Sequence, residues 1–250
     1  MIDVLRHGEI SVIGRHPYAS NAAYLVSCSI GDQQCRAIYK PVAGERALWD
    51  FPGVELAARE VLAFEVAKAL ELPMVPETVW RADGPFGSGS LQHWIEDARI
   101  DDVAVVEDVE PPWRAVFESE LADGTPVQVV HRDNDELRSI AFLDVIMNNA
   151  DRKGGHLLRD PQGTLWGVDH GVTFHAEPKL RTVLWGFIDE RIPTVLRDRL
   201  EIDLISLPAV QETLSESEIE ALGVRVEELR TSGTFPAPSP RWPPVPWPVF

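Results

Sequence analysis

The sequence predicts an α+β chain, with strands gathered in its first third and helices filling its last third. Three observations carry that expectation. Two apolar runs flank a Gly-Asp turn near the N-terminus. Later segments repeat apolar residues at three- and four-residue spacing, the period of a helix buried on one face. A composition of 44% hydrophobic and 25% charged residues over 250 positions is that of a globular protein able to bury its own core.

The same composition excludes several classes. The net charge is −17, a poor balance for gripping nucleic acid or an anionic membrane. No apolar run reaches the length of about 18 residues that a membrane-spanning helix needs. The opening stretch, MIDVLRHGEISV, lacks the basic-then-apolar layout of a signal peptide. Cys28 and Cys35 are too few for a disulfide scaffold or a zinc cage, so two buried thiols in a cytoplasmic protein are expected. Only Lys40, Lys68, Lys153 and Lys179 are lysines among the 23 basic residues, so a lysine set among apolar neighbours draws attention.

In chain order, the first 40 residues read as strands. AAYLVSC (22–28) and RAIYK (36–40) flank SIGDQQ as a hairpin, with Cys28 and Cys35 opposite each other. Pro52-Gly53 breaks the chain before a helix over 54–70. Its apolar face carries Leu56, Ala57, Ala63, Phe64 and Ala67, and Glu60 lies on that face, where a carboxylate needs a cation. LPMVPETVW reads as a strand, DGPFGSG as a loop and SLQHWIE as a further strand. The acidic stretch 97–112 reads as a connector at a lobe boundary. A helix over 133–148 has an apolar stripe interrupted by Asp144, with Asn148 and Asn149 at its end. The tetrad DPQG is turn chemistry and predicts a hairpin in which Arg159 faces Thr164 and Leu157 faces Trp166. Helices are expected over 194–205 and 215–230, the latter opened by a Ser215/Glu218 capping box. The last stretch, FPAPSPRWPPVPWPVF, holds seven prolines and must be extended. It is expected to pack back on the helical part; a ligand for a proline-reading partner is the alternative.

The hairpin brings the loop 151–155 and Asp169 to one end, with His156 beside them. Two carboxylates and an imidazole converge there, a place to hold a divalent cation and a phosphate. Lys40 and Glu60, each awkward alone, explain each other as an ion pair with the lysine facing an anion.

These parts resemble a protein-kinase-like phosphotransferase: a strand lysine, a helix glutamate, a loop opened by Asp151-Arg152-Lys153 and the triad Asp169-His170-Gly171. The segments YKPVAGERALWDFP, ARE, GSGSLQHWIE, NNADRKGGHLL, WGVDHG and LRTVLWGF, over roughly residues 8–250, resemble the bacterial phosphatidylinositol 3-/4-kinase-like family. The resemblance implies a two-lobed fold: an antiparallel-sheet N-lobe over 1–96, a helical C-lobe over 97–235 and a Pro-rich tail over 236–250. It implies that Lys40 contacts ATP phosphates, Glu60 anchors Lys40, Asp151 orients or deprotonates the attacking hydroxyl, and Asp169 binds Mg²⁺ or Mn²⁺. Ser20 and Asn21 would cover the phosphates, and the backbone near Leu91, Gln92, His93 and Trp94 would be the hinge that meets adenine. His156 stands where the family places an Asn metal ligand, and imidazole suits softer ions than magnesium. No glycine-rich G-x-G-x-x-G loop is present. The implied reaction is transfer of the γ-phosphoryl of ATP to a hydroxyl of a small molecule or protein. The alternatives are a nucleotide-binding pseudokinase and an AMP transferase. A phosphoinositide substrate follows from the family name, while the acidic chain lacks the basic patch an anionic bilayer attracts. His131-Arg132-Asp133 also spells a kinase loop, but Arg138 stands five residues on, and Asp133 reads as a helix cap.

Overall fold

The computed structural model describes residues 1–17 and 21–250. Its first part is a five-stranded antiparallel sheet of β1 (Glu9–Arg15), β2 (Tyr24–Ile30), β3 (Gln33–Pro41), β4 (Thr78–Gly84) and β5 (Gly87–His93), in the order β1-β2-β3-β5-β4. The predicted hairpin is β2–β3. Cys28 and Cys35 are register partners, both free and buried. β4 starts at Thr78 rather than at Leu72, because Pro73 and Pro76 cannot donate to a ladder. The opening residues are not all strand: Ile2–His7 form a helical turn and a half, α1, that lays Val4 and Leu5 on one sheet face.

Alternation sorts that sheet. Val26, Cys28, Cys35, Ala37, Tyr39, Val79 and Leu91 pack with α1 into a small core. Ile38, Lys40, Ser90 and Gln92 therefore point to the other face, toward α2 (Leu56–Ala69). Gly89 pairs with Pro41 beside Lys40, and a Cβ there would lie 2.3 Å from the Lys40 carbonyl oxygen. Only glycine lets β3 and β5 close at that point.

α2 is buried almost all round, Arg59 and Glu60 included. Its first N–H groups have no cap from Glu55. The Glu45 carboxylate accepts from Leu56 N (3.0 Å) and Ala57 N (2.8 Å) instead, meeting orphan donors at the positive helix end.

The region read as a connector holds a second antiparallel sheet: β6 (Val103–Val106), β7 (Trp113–Glu120) and β8 (Pro126–Arg132), in the order β6-β8-β7. A bulge between Ala115 and Phe117 breaks the alternation of β7, and much of its length is half-exposed, so period-2 patterning fails there. α3 (Asp135–Met147) is capped by Asn134, which accepts from Leu137 N at 2.8 Å. Asp133 is not the cap: it pairs with Arg114 (2.8 Å) and Arg138 (2.5 Å).

The DPQG hairpin forms as β9 (Leu157–Arg159) and β10 (Leu165–Gly167), but one residue out of the expected register: Arg159 faces Leu165 and Leu157 faces Gly167. The turn is longer than the tetrad because Thr164 donates its N–H to the Asp160 side chain. His156 ends a 3₁₀ turn (Gly154–His156) rather than starting the strand. The helix expected over 194–205 is only α4 (Thr194–Arg197) followed by a 3₁₀ turn, since Ile202 is extended. α5 (Pro208–Thr213) and α6 (Glu216–Ser232) follow, α6 with the expected capping box. The large core joins α2, α3 and α6 with Leu157, Leu165, Phe174 and Phe187. The Pro-rich tail lies along this half. Pro244 O accepts from Thr182 N and Trp185 Nε1, and Val249 O accepts from Gly154 N at 2.8 Å. Among the described residues no helix is long and apolar enough to cross a membrane.

Candidate functional site

One lysine lies where the first sheet, α2 and the Asp169 loop meet. Lys40, near the end of β3, sets its Nζ against Glu60 Oε1 of α2 and 2.8 Å from Asp169 Oδ1. Burial works against the ammonium, but the Asp169 and Glu60 carboxylates outweigh it and hold Lys40 above its ordinary range. Glu60 is 2% exposed, and its second oxygen accepts from His170 N at 2.9 Å. Lys40 thus holds the carboxylate next to the Asp169 loop, and α2 holds the backbone of that loop.

Asp169 is the open member of the cluster, its side chain 51% exposed. The Lys40 charge holds its carboxyl far below the usual carboxylate range. Its φ of 62° is left-handed, unusual for a residue with a Cβ. His156 Nε2 lies 3.3 Å from Asp169 Oδ2. Burial lowers the His156 pKa to about 4, which keeps the ring neutral, and its Nδ1 is buried without a partner.

Asp151 is half-buried, with Lys153 Nζ 3.3 Å from its Oδ2. Burial raises its pKa, Lys153 opposes, and Asp169 adds to the rise. Its N–H donates to Asn149 Oδ1 at 3.0 Å. Arg152, next in the chain, points the other way into the core. Fully buried, it grips Asp144 through Nε (2.8 Å) and Nη2 (2.9 Å) and donates to the Val168 carbonyl (2.8 Å) and the His156 carbonyl (3.3 Å). Its Nη2 also lies 2.8 Å from His170 Nε2. One guanidinium therefore ties the Asp151 loop to the residues on both sides of Asp169. The acid that interrupts the stripe of α3 is the anchor of this network.

The structure thus brings together Lys40, Glu60, Asp151, His156 and Asp169 from four separate stretches of chain, Asp151 and His156 sharing one. The other expected site residues make contacts of their own. Asn21 Oδ1 accepts from Arg46 N at 3.0 Å, which commits it to the segment after β3. Ser20 lies outside the described residues. Leu91, Gln92 and His93 belong to a strand paired on both sides, and Trp94 N donates to Arg36 O at 3.0 Å. The ladder ends at His93, and Trp94 lies just beyond it. His93 and Trp94 line a separate cleft of about 1240 Å³ behind the sheet edge, formed with Phe64, Lys68, Glu77 and Trp166. Lys40 and Asp169 do not border it. Among the described residues no group of three or more His, Cys, Asp or Glu side chains is arranged to hold a metal ion.

Sequence reasoning missed Arg59 and Glu218, which form a buried ion pair between α2 and α6. The available signal was Arg59 itself, a second charge beside Glu60 on a largely apolar helix.

Fold and site together define a two-lobed α+β protein whose sheet lysine is ion-paired with a helix glutamate and a loop aspartate. No family model matches the chain. Protein Rv2133c of Mycobacterium tuberculosis is 40% identical over 266 aligned residues, taking in 99% of this chain and 94% of that protein. The chain belongs to the family of that protein. The crystal structure of a Helicobacter pylori proinflammatory kinase, CtkA, is similar with a TM-score of 0.48 and 12% identity, over 92% of this chain and 94% of that one.

Proposed function

We propose that the protein is an ATP-dependent phosphotransferase of the phosphatidylinositol 3-/4-kinase-like type, moving the γ-phosphoryl group to a substrate hydroxyl. The observation that carries this reading is the Lys40–Glu60–Asp169 cluster with Asp151 close by. An ammonium has three donors, and two of those on Lys40 are taken by carboxylates. The third is free to meet a phosphate oxygen, and the two acids keep the lysine charged.

The residues fit a magnesium or manganese nucleotide. Such an ion takes hard oxygen ligands and is commonly held by one or two carboxylates together with substrate phosphates. Asp169 supplies a half-exposed, fully ionised carboxylate, and Asp151 is the second acid at hand. His156 Nε2, 3.3 Å from Asp169 Oδ2, is placed to serve as a further ligand beside that carboxylate. The bound ion would neutralise phosphate charge. Lys40 holds the phosphate chain, and Glu60 holds Lys40. Asp151 accepts the proton of the attacking hydroxyl as the oxygen bonds to phosphorus and ADP departs. Burial raises its proton affinity toward that of a useful base. Positioning and charge neutralisation supply the rest of the acceleration.

The test is thermal unfolding with Mn-ATP, followed by nucleotide analysis. At a concentration about 100 times Kd the wild type gains about 2.7 kcal/mol, roughly 5–10 °C at this size. Asp169→Ala loses that shift. Asp151→Asn keeps it and loses about 10²–10⁴ in turnover. ADP as the released product supports phosphoryl transfer. Pyrophosphate means AMP transfer, and binding without product means a nucleotide-binding regulator. No shift at millimolar Mn-ATP sinks the nucleotide reading.

A further inference from the structure

We propose that the buried Arg59–Glu218 ion pair is a positioning device: it sets α2 against the segment that follows Asp169, so that Glu60 reaches Lys40 and His170 at once. Its activity arm rests on the phosphotransfer reading, whereas its structural arm does not.

Arg59 and Glu60 are consecutive on a helix, so their side chains diverge by about 100°. Glu60 faces Lys40, and Arg59 faces the other half of the molecule. The Arg59 side chain is 3% exposed. Its Nη1 donates to the Thr173 carbonyl, and its Nη2 pairs with Glu218 Oε1. Thr173 Oγ1 in turn donates to the His170 carbonyl at 2.7 Å, and His170 N donates to Glu60. Two adjacent residues of α2 therefore hold residues 170 and 173, the two ends of one short segment. Asp169 is the residue just before that segment.

Glu218 is itself fixed. Its Oε2 accepts from Ser215 N (3.0 Å) and Ser215 Oγ (2.9 Å), the capping box at the start of α6. The cap locks the carboxylate and leaves Oε1 for Arg59. Rotation or sliding of α2 breaks this pair, and the same motion carries Glu60 away from His170 N. A purely stabilising ion pair has no reason to bond the Asp169 segment as well. The guanidinium fork does both, because its donors point in fixed, separate directions.

Glu218→Gln separates the two duties of Glu218. Glutamine serves in a capping box as glutamate does, so α6 keeps its start while Arg59 loses its counter-charge. Arg59→Lys keeps the charge but cannot reach both partners with one head group. Amide hydrogen exchange resolved at His170 and at the first turns of α3 and α6 reads the outcome, alongside Tm and Mn-ATP titration. In both variants the His170 amide exchanges about tenfold faster or more, α3 is unchanged, and α6 in Glu218→Gln is unchanged. Mn-ATP binds more weakly in both. Exchange that rises equally in α3 and at His170, tracking the fall in Tm, overturns the proposal: the pair then only stabilises the fold. Wild type that fails to bind Mn-ATP removes the phosphotransfer reading, and the exchange pattern still decides the positioning role.

Discussion

Arg152→Met is the sharpest perturbation the structure offers. Asp144 lies in the core at 0% exposure, and Arg152 is its only cationic partner among the described residues. Removing one member of such a pair costs about 3–5 kcal/mol, because the other charge stays buried and unpaired. The Val168 carbonyl also loses its donor, at 2.8 Å in the wild type. At this chain length each kcal/mol is worth about 2–4 °C, so Tm should fall by roughly 6–20 °C. Urea unfolding followed by circular dichroism gives the same quantity independently. Asp144→Leu/Arg152→Met removes both charges together. It should be less destabilised than the sum of the two single variants, by about 0.5–3 kcal/mol. It should not return fully to wild type, because Asn149 Nδ2, which donates to Asp144 at 2.8 Å, is left without an acceptor. The double variant should nonetheless transfer no phosphoryl group, since nothing ties the Asp151 loop to Val168. A cost below about 1 kcal/mol for Arg152→Met would show that the network is not the anchor described above.

Three further outcomes follow from particular residues. His131 is fully buried, and burial lowers its pKa to about 4. The unfolded chain then binds a proton near pH 6.5 that the folded chain refuses, so its contribution is complete above pH 6.5 and fades as pH falls toward 4. Linkage gives a loss of about 2 kcal/mol between pH 7 and pH 5. Denaturant titrations at both values should show a shallower slope in His131→Gln, and an unchanged slope contradicts the burial argument. Gly89→Ala places a Cβ 2.3 Å from the Lys40 carbonyl oxygen. It should cost about 1–3 kcal/mol and weaken Mn-ATP binding, and a neutral effect on both would mean that β3 and β5 can part there freely. Burial pushes the Cys28 thiol up to about 11 and raises Cys35 as well, so a thiol reagent at pH 8 should modify neither until urea unfolds the chain.

The sequence shows the sheet hairpin, α2, α3, α6 and the DPQG turn because each carries a local signal. Gly31-Asp32, the 3.6-residue period and the Ser215/Glu218 box all act within a few residues of chain. The second sheet carries no such signal. Its strands are half-exposed, and the β7 bulge shifts the period partway along. The hairpin register slipped for a related reason, since the Asp160 side chain reaches forward to Thr164 N and widens the turn by one residue. The candidate site was legible where a charge sat among apolar residues, as with Lys40, Glu60 and the acid of α3. Strand alternation cannot tell a central strand from an edge strand, so the place of β5 in the sheet was not legible. β5 is paired on both sides, and only the tertiary arrangement reveals it.

One pattern links the two halves of the site. Two of the three acids of the cluster have an arginine beside them in the chain, Arg59 before Glu60 and Arg152 after Asp151, while Asp169 stands between Val168 and His170. In both cases the acid lies at the cluster while the arginine turns into the core and finds a buried carboxylate, Glu218 or Asp144. Both arginines also donate to backbone carbonyls near Asp169: Thr173 on one side, Val168 and His156 on the other. The physical reason is one of directions. A carboxylate facing an open cleft cannot hold its own backbone, whereas a buried guanidinium with five fixed donors can hold several strands of backbone at once. Lysine, a single point charge on a flexible stem, suits Lys40 in the proposed role of meeting a movable phosphate. It does not suit positions 59 and 152. Arg152→Lys should therefore keep the charge beside Asp144 yet lose the Val168 contact. Its stability loss should be smaller than that of Arg152→Met, while its loss of turnover should be nearly as large. Equal losses of stability in the two variants, or full turnover in the lysine variant, would mean that charge alone fixes the loop.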